Sequence, residues 1–152
     1  MSVIANQVKE LASQLGLFVT LLEREHAALS AKALDNLNEV VAEKNRLAGL
    51  LGEQWNALRQ TLDLKQASPA DLTSALSARG EHAALKDGQA IRQLSERARE
   101  LNQRNGALIR EQLRQTSKAI EILQAVSRQN ATYGPDGLSH GGLSYSRTID
   151  KA

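Results

Sequence analysis

The sequence predicts an all-α fold: a long-helix antiparallel coiled-coil bundle of three long helices plus one short helix, with a flexible C-terminal tail. Three observations carry this reading. Between Gly88 and Arg128 the apolar residues Ile91, Leu94, Ala98, Leu101, Leu108, Ile109, Leu113, Ile120, Leu123 and Val126 recur mostly at three- and four-residue steps. That spacing draws one stripe along an α-helix. The composition is rich in Leu, Ala, Gln, Arg and Glu and has only 3% aromatic residues and 2 prolines. Those residues favour helix over the Val, Ile, Tyr and Thr of sheets. Finally, the periodicity stops after Arg128 and gives way to Gly and Ser.

The 152 residues suit one bundle, residues 1–130, and a tail, residues 131–152. In the bundle, Val3 to Leu29 is the first helix. Ile4, Val8, Leu11, Leu15, Phe18, Leu22 and Leu29 follow a heptad seam in which Glu25 takes the missing slot. Gly16 costs this helix roughly 1 kcal/mol and is read as a point of close approach. Ser30 to Ala33 is a short junction without Gly or Pro. The second helix begins near Leu34, with a seam of Leu37, Val41, Ala48, Leu51, Trp55, Leu58 and Leu62; Leu34, Val40, Leu47 and Leu50 widen it. Lys44 holds a seam slot, from which its long stem can reach outward. A tight junction makes the first two helices an antiparallel hairpin.

Asp63 to Ala67 reads as a loop, and Ser68-Pro69-Ala70-Asp71 as a helix start, with Ser68 as the cap, Pro69 at the first helical position and Asp71 at the positive end. The short helix turns Leu72 and Leu76 inward and ends at Arg79-Gly80. Asp87 is one cap for the long helix; a start as early as His82 is the other. An unbroken helix of roughly 40 residues spans about 60 Å and needs neighbours to cover its stripe. Asn102 and Asn105 lie on or beside that stripe, where a polar residue fixes register at some cost in stability. After Gly106 the stripe shifts by one position, to Ile109, Leu113, Thr116, Ile120 and Leu123.

Chemistry is sparse. His26, His82 and His140 are scattered. Glu23-Arg24-Glu25-His26 has the Glu-x-x-His spacing of di-iron bundles but no second copy, and is read as solvated surface. With no cysteine, phosphate loop, nucleophile elbow or zinc spacing, the expectation is no catalytic residues, no cofactor and no metal. Charge is uneven. Met1 to Leu64 carries six Lys/Arg against eight Asp/Glu, and Gly88 to Lys118 carries seven against three. A solvated basic face is the plain reading. Nucleic-acid binding is disfavoured, because the basic helix lacks interleaved aromatics and is diluted by Glu96, Glu100 and Glu111. No apolar run approaches the roughly 20 residues of a membrane span. Met1 to Gln14 has no basic start with an apolar block. A cytoplasmic protein without membrane insertion is expected.

Protein–protein interaction remains. Leu113, Thr116, Ile120, Leu123 and Val126 lie at the far end of a helix longer than its neighbours, so they are the expected partner-binding stripe. Sequence physics leaves two uses of it open: client binding, and self-association as a homodimer of a structural coiled-coil protein.

Three stretches add a family resemblance. Leu22-x-x-Glu25-x-x-Ala28-Leu29 leads to a helix with Lys44-x-x-Leu47; Leu101-Asn102-Gln103-Arg104-Asn105-Gly106-Ala107-Leu108-Ile109 lies in the long helix; Thr132-Tyr133-Gly134-Pro135-Asp136-Gly137 follows it. Together they resemble the FlgN family of bacterial flagellar export chaperones over about Ile4 to Gly137. The stretch from Ser68 to Asp87 and the tail beyond Leu138 lie outside the likeness. The resemblance implies a cytoplasmic chaperone that does no covalent chemistry. It implies clients of the FlgK and FlgL type, the hook–filament junction proteins, and delivery to the export gate component FlhA. It places client binding on Leu113, Thr116, Ile120, Leu123 and Val126 and the gate contact on Tyr133.

Overall fold

A computed structural model describes residues 1–132, with side chains through Asn130. Four α-helices form: α1 (Val3–Ser30), α2 (Leu37–Thr61), α3 (Leu72–Ala78) and α4 (Leu85–Thr132), with 3₁₀ turns at Pro69–Asp71 and His82–Ala84. No strand occurs among the described residues. Nor, among them, is any helix long and apolar enough to cross a membrane. The chain divides into two compact units, Met1–Ile109 and the residues from Arg110 on. The segment read as a tail, including Tyr133, lies outside the described residues apart from the last helical turn.

Within the first unit, two clusters fix the packing. Ala5, Val8, Leu11 and Leu15 of α1 meet Leu58 and Leu62 near the end of α2, Leu72 and Leu76 of α3, and Ile91 of α4. Farther along, Val19 and Leu22 meet Ala98 and Leu101. The start of α1 therefore faces the end of α2, an antiparallel hairpin, whereas α1 and α4 ascend together. Of the α1 seam, Val8, Leu11, Leu15, Leu22, Glu25 and Leu29 are buried, as the heptad spacing requires, and Ile4 and Phe18 are half-buried. On α2 the register differs from the expected one. Val40 and Leu47, assigned to the margin, are buried, and Ala48 is exposed. The periodicity permits both stripes: Leu47 packs in place of Ala48, while Leu58 and Leu62 of the expected seam are buried.

The helix ends explain what the sequence concealed. All three breaks have a left-handed residue just past the cap: Lys32 (φ 53°), Asp63 (φ 52°) and Gly80 (φ 72°). In each, the next amide reaches back to the last turn: Ala33 N to Ala28 O, Leu64 N to Arg59 O and Glu81 N to Leu76 O. These are Schellman ends. Only the third uses glycine, so the α1–α2 junction ends by backbone geometry that its residue types do not announce. Helix α2 starts at Leu37, three residues later than expected, and Leu34 is exposed. The Arg79 guanidinium donates to the Leu62 carbonyl at 2.6 Å, tying the end of α3 to the end of α2. At the short helix, the Asp71 carboxylate accepts from the Ser68 amide and hydroxyl, both at 3.0 Å. These bonds, the amide first, hold its pKa below the ordinary carboxylate range. Asp87 lies in the first turn of α4 and does not cap it; the helical path begins at His82, the earlier of the two starts considered.

Glycine roles are exchanged relative to expectation. Gly16 has nothing within 4 Å of where a Cβ would stand, so no close approach exists there. At Gly88 a Cβ would lie 2.8 Å from Cδ1 of Leu76, a fully buried side chain. The missing Cβ lets α3 press on α4. Gly16→Ala, Gly49→Ala and Gly52→Ala are expected to raise stability by up to about 1 kcal/mol each, from helix propensity. Gly88→Ala is expected to lower it by about 1 kcal/mol, because overpacking outweighs the same gain. Urea unfolding followed by circular dichroism tests the contrast in sign.

Two buried polar residues, Glu25 and Asn105, make contacts across the bundle. Glu25, 1% exposed, meets the Lys44 ammonium at 2.8 Å; Lys44 is 19% exposed. The contact is an ion pair by distance, outside the angles of a directed hydrogen bond. The two polar seam residues thus face each other as an ion pair, and Lys44 does not simply reach outward. The second contact is Asn105, buried, while Asn102 is exposed. Asn105 Nδ2 donates to the Leu22 carbonyl at 3.0 Å, and its Oδ1 lies 2.9 Å from His26 Nδ1. With the amide so oriented, His26 Nδ1 must carry the donated proton. His26 is half-buried and bonded, not the solvated surface residue expected. Arg92, Arg97, Arg104 and Arg114 of α4 pair with carboxylates of the same helix, and Arg97 also reaches Glu23 of α1.

Candidate partner-binding face on the last helix

Helix α4 runs without interruption through Gly106 to Thr132. Its burial changes abruptly along its length. Ala98, Leu101 and Asn105 are buried, whereas every described side chain from Leu113 to Asn130 is exposed. The absence of Pro and the run of Gln, Arg, Glu, Leu and Ala keep this stretch helical.

The five expected site residues lie here. Leu113, Ile120, Leu123 and Val126 are large apolar side chains between 47% and 67% exposed. Leu113, Thr116, Ile120 and Leu123 share one stripe at the spacing read from sequence, and Val126 borders it. The Thr116 hydroxyl donates to the Gln112 carbonyl at 2.9 Å. With its hydroxyl engaged by its own helix, Thr116 offers a partner mainly its methyl group. Tyr133, the expected gate contact, falls outside the described residues. Ile122, 60% exposed, was missed. It sits off the three–four seam, next to Glu121 and one turn after Lys118, so no apolar spacing flags it.

The polar side of the same stretch has its own pairing. Arg114 contacts Glu111 at 2.7 Å, and Gln115 donates to the same carboxylate at 3.2 Å. The guanidinium bond, first among the causes, lowers the Glu111 pKa; the carboxylate in turn raises that of Arg114. Elsewhere, a shallow depression of about 200 Å³ is lined by Leu15, Gly52, Trp55, Pro69, Ile91 and Ser95, among others. It carries no converging polar groups of the kind that orient a small ligand.

Fold and face together define an all-helical protein with an uncovered apolar helix face. Residues 1–141 match the family model described as FlgN protein. The chain belongs to the FlgN family. This is a family of flagellar export chaperones, not of enzymes. Searches of curated proteins and of solved structures return no match.

Proposed function

We propose that this protein is a cytoplasmic flagellar export chaperone that binds hook–filament junction proteins of the FlgK and FlgL type. It delivers them to the export gate component FlhA. Leu113, Thr116, Ile120, Leu123 and Val126 hold the client, and Tyr133 contacts the gate. The observation that carries the reading is the exposure of large apolar residues along α4 in a chain of the FlgN family. Such side chains stay in water at a cost unless a partner covers them.

The chemistry needed is modest. An unassembled subunit has apolar terminal segments that pair prematurely or are proteolysed if left free. A helical apolar face gives them a temporary partner. Three or four anchors, each worth roughly 1.5–3 kcal/mol when buried, support micromolar or tighter binding after association costs. An affinity of that order permits release at the gate without ATP hydrolysis by the chaperone.

The test is calorimetric titration with the isolated terminal segments of a FlgK-type protein. The double variant Ile120→Asp, Leu123→Asp is expected to lose about 100-fold or more in affinity, since two anchors worth together at least 3 kcal/mol are removed. Its helicity should stay close to that of the parent, because neither residue is buried. Unchanged affinity in that variant would remove the site assignment. A stable homodimer that ignores the segments would return the self-associating reading.

A further inference from the structure

The exposed part of α4 segregates charge more completely than a single docking seam requires. At about 100° per residue, the six charged residues of the stretch, Arg110, Glu111, Arg114, Lys118, Glu121 and Arg128, all fall within about 100° of arc. The opposite half-circumference carries no charge. Around it run Ile122, Val126, Leu123, Thr116, Ile120 and Leu113, interrupted only by small or amide side chains. The four large aliphatics of that set beside Val126 and Thr116 are each at least half exposed.

The first unit supplies a scale. There the buried and half-buried residues Gly88, Ile91, Leu94, Ser95, Ala98, Leu101, Asn105 and Leu108 span about 160°, and covering that arc takes both α1 and α3. A coiled-coil seam between two helices is narrower still. A half-circumference is therefore more than one helix covers.

Charge selects the kind of partner. Four basic residues stand against two acidic ones in this stretch, and Arg114 and Glu111 answer each other. Arg110 stands one turn before Leu113 at one border of the face, and Lys118 one turn before Ile122 at the other. A second copy of this chain carries the same excess of basic over acidic residues in this stretch and brings it no compensating charge. Helices with acidic residues beside their apolar stripes would complement both borders.

We propose that the face from Leu113 to Val126 seats two amphipathic helices of its partner side by side, each with an acidic outer border. One helix lies on the Leu113–Ile120 side and the other on the Ile122–Val126 side. This rests on the client-binding reading given above and goes beyond it in the architecture of the partner. It accounts for Ile122, which a one-helix seam leaves in water.

The absence of cysteine makes the test direct, because single cysteines can be placed without removing others. Gln115→Cys marks the Ile122–Val126 side, Gln124→Cys the Leu113–Ile120 side, and Ala125→Cys the charged side. None replaces an apolar anchor. The rate of maleimide modification is measured for each variant alone and with a full-length FlgK-type junction protein in excess. Slowing of about 10-fold or more at both Gln115→Cys and Gln124→Cys, with Ala125→Cys unchanged, is expected. Slowing at only one of them in a formed complex overturns the two-helix seat and leaves client binding standing. Slowing at neither, in a formed complex, overturns the seat and moves the client elsewhere. Failure to form a complex overturns the client reading and the seat with it. Slowing at both without client, together with a doubled mass by light scattering, assigns the face to a second copy and overturns the proposal.

Discussion

Lys44→Met is expected to destabilise the protein by about 3–5 kcal/mol, the cost of leaving a buried charge without its partner. In a chain of this size that lowers Tm by roughly 10 °C. The reason is the asymmetry of the pair. The Glu25 carboxylate is 1% exposed and has Lys44 as its ion-pair partner, whereas Lys44 is 19% exposed and carries a long stem. Glu25→Leu should therefore cost much less, because the abandoned ammonium can turn to water. Joining Glu25→Leu to Lys44→Met should recover most of the loss, as apolar replacements of buried pairs often do. Thermal unfolding of the three variants checks the order. A Lys44→Met loss no larger than that of Glu25→Leu would show that the buried carboxylate is rescued by some other group.

Asn105→Ala is the second large effect, a loss of about 2–4 kcal/mol from the buried bond to the Leu22 carbonyl, the lost acceptor of His26 and the space left behind. Both ends of the amide are committed: Nδ2 to the Leu22 carbonyl and Oδ1 to His26. His26→Ala removes only one of those contacts, from a half-buried position, and should cost less. Asn105→Leu separates packing from polarity. It refills the space, so its stability should approach that of the parent, while His26 loses its acceptor. Urea unfolding of the three variants, with the His26 ring followed by NMR, tests the assignment. Equal losses for Asn105→Ala and Asn105→Leu would mean that the hydrogen bonds matter and the volume does not.

These two sites also show what a linear reading can reach. The heptad of α1, the short helix after Ser68-Pro69 and the unbroken course of α4 were legible because each follows from local periodicity and capping. The Glu25–Lys44 pair was not, since each helix reveals its own seam but not the rotation of its neighbour. The same ambiguity put Ala48 where Leu47 packs. Gly16 and Gly88 look alike in sequence, and only the crossing of α3 over α4 distinguishes them. Of the candidate face, Leu113, Thr116, Ile120 and Leu123 were legible as a seam, and Ile122 was invisible because it departs from it.

The uncovered stretch of α4 has a consequence for its own persistence. A helix that buries nothing gains little from tertiary packing, and an isolated segment of its length is marginal in water. Its first turn is not nucleated independently; it is inherited from Ile91, Ala98 and Leu101, which the bundle holds. Hydrogen exchange should then grade along one continuous helix, slow near Leu101 and fast toward Asn130. A partner that arrives at the fast end lengthens the cooperative unit as it binds, and its departure shortens that unit again.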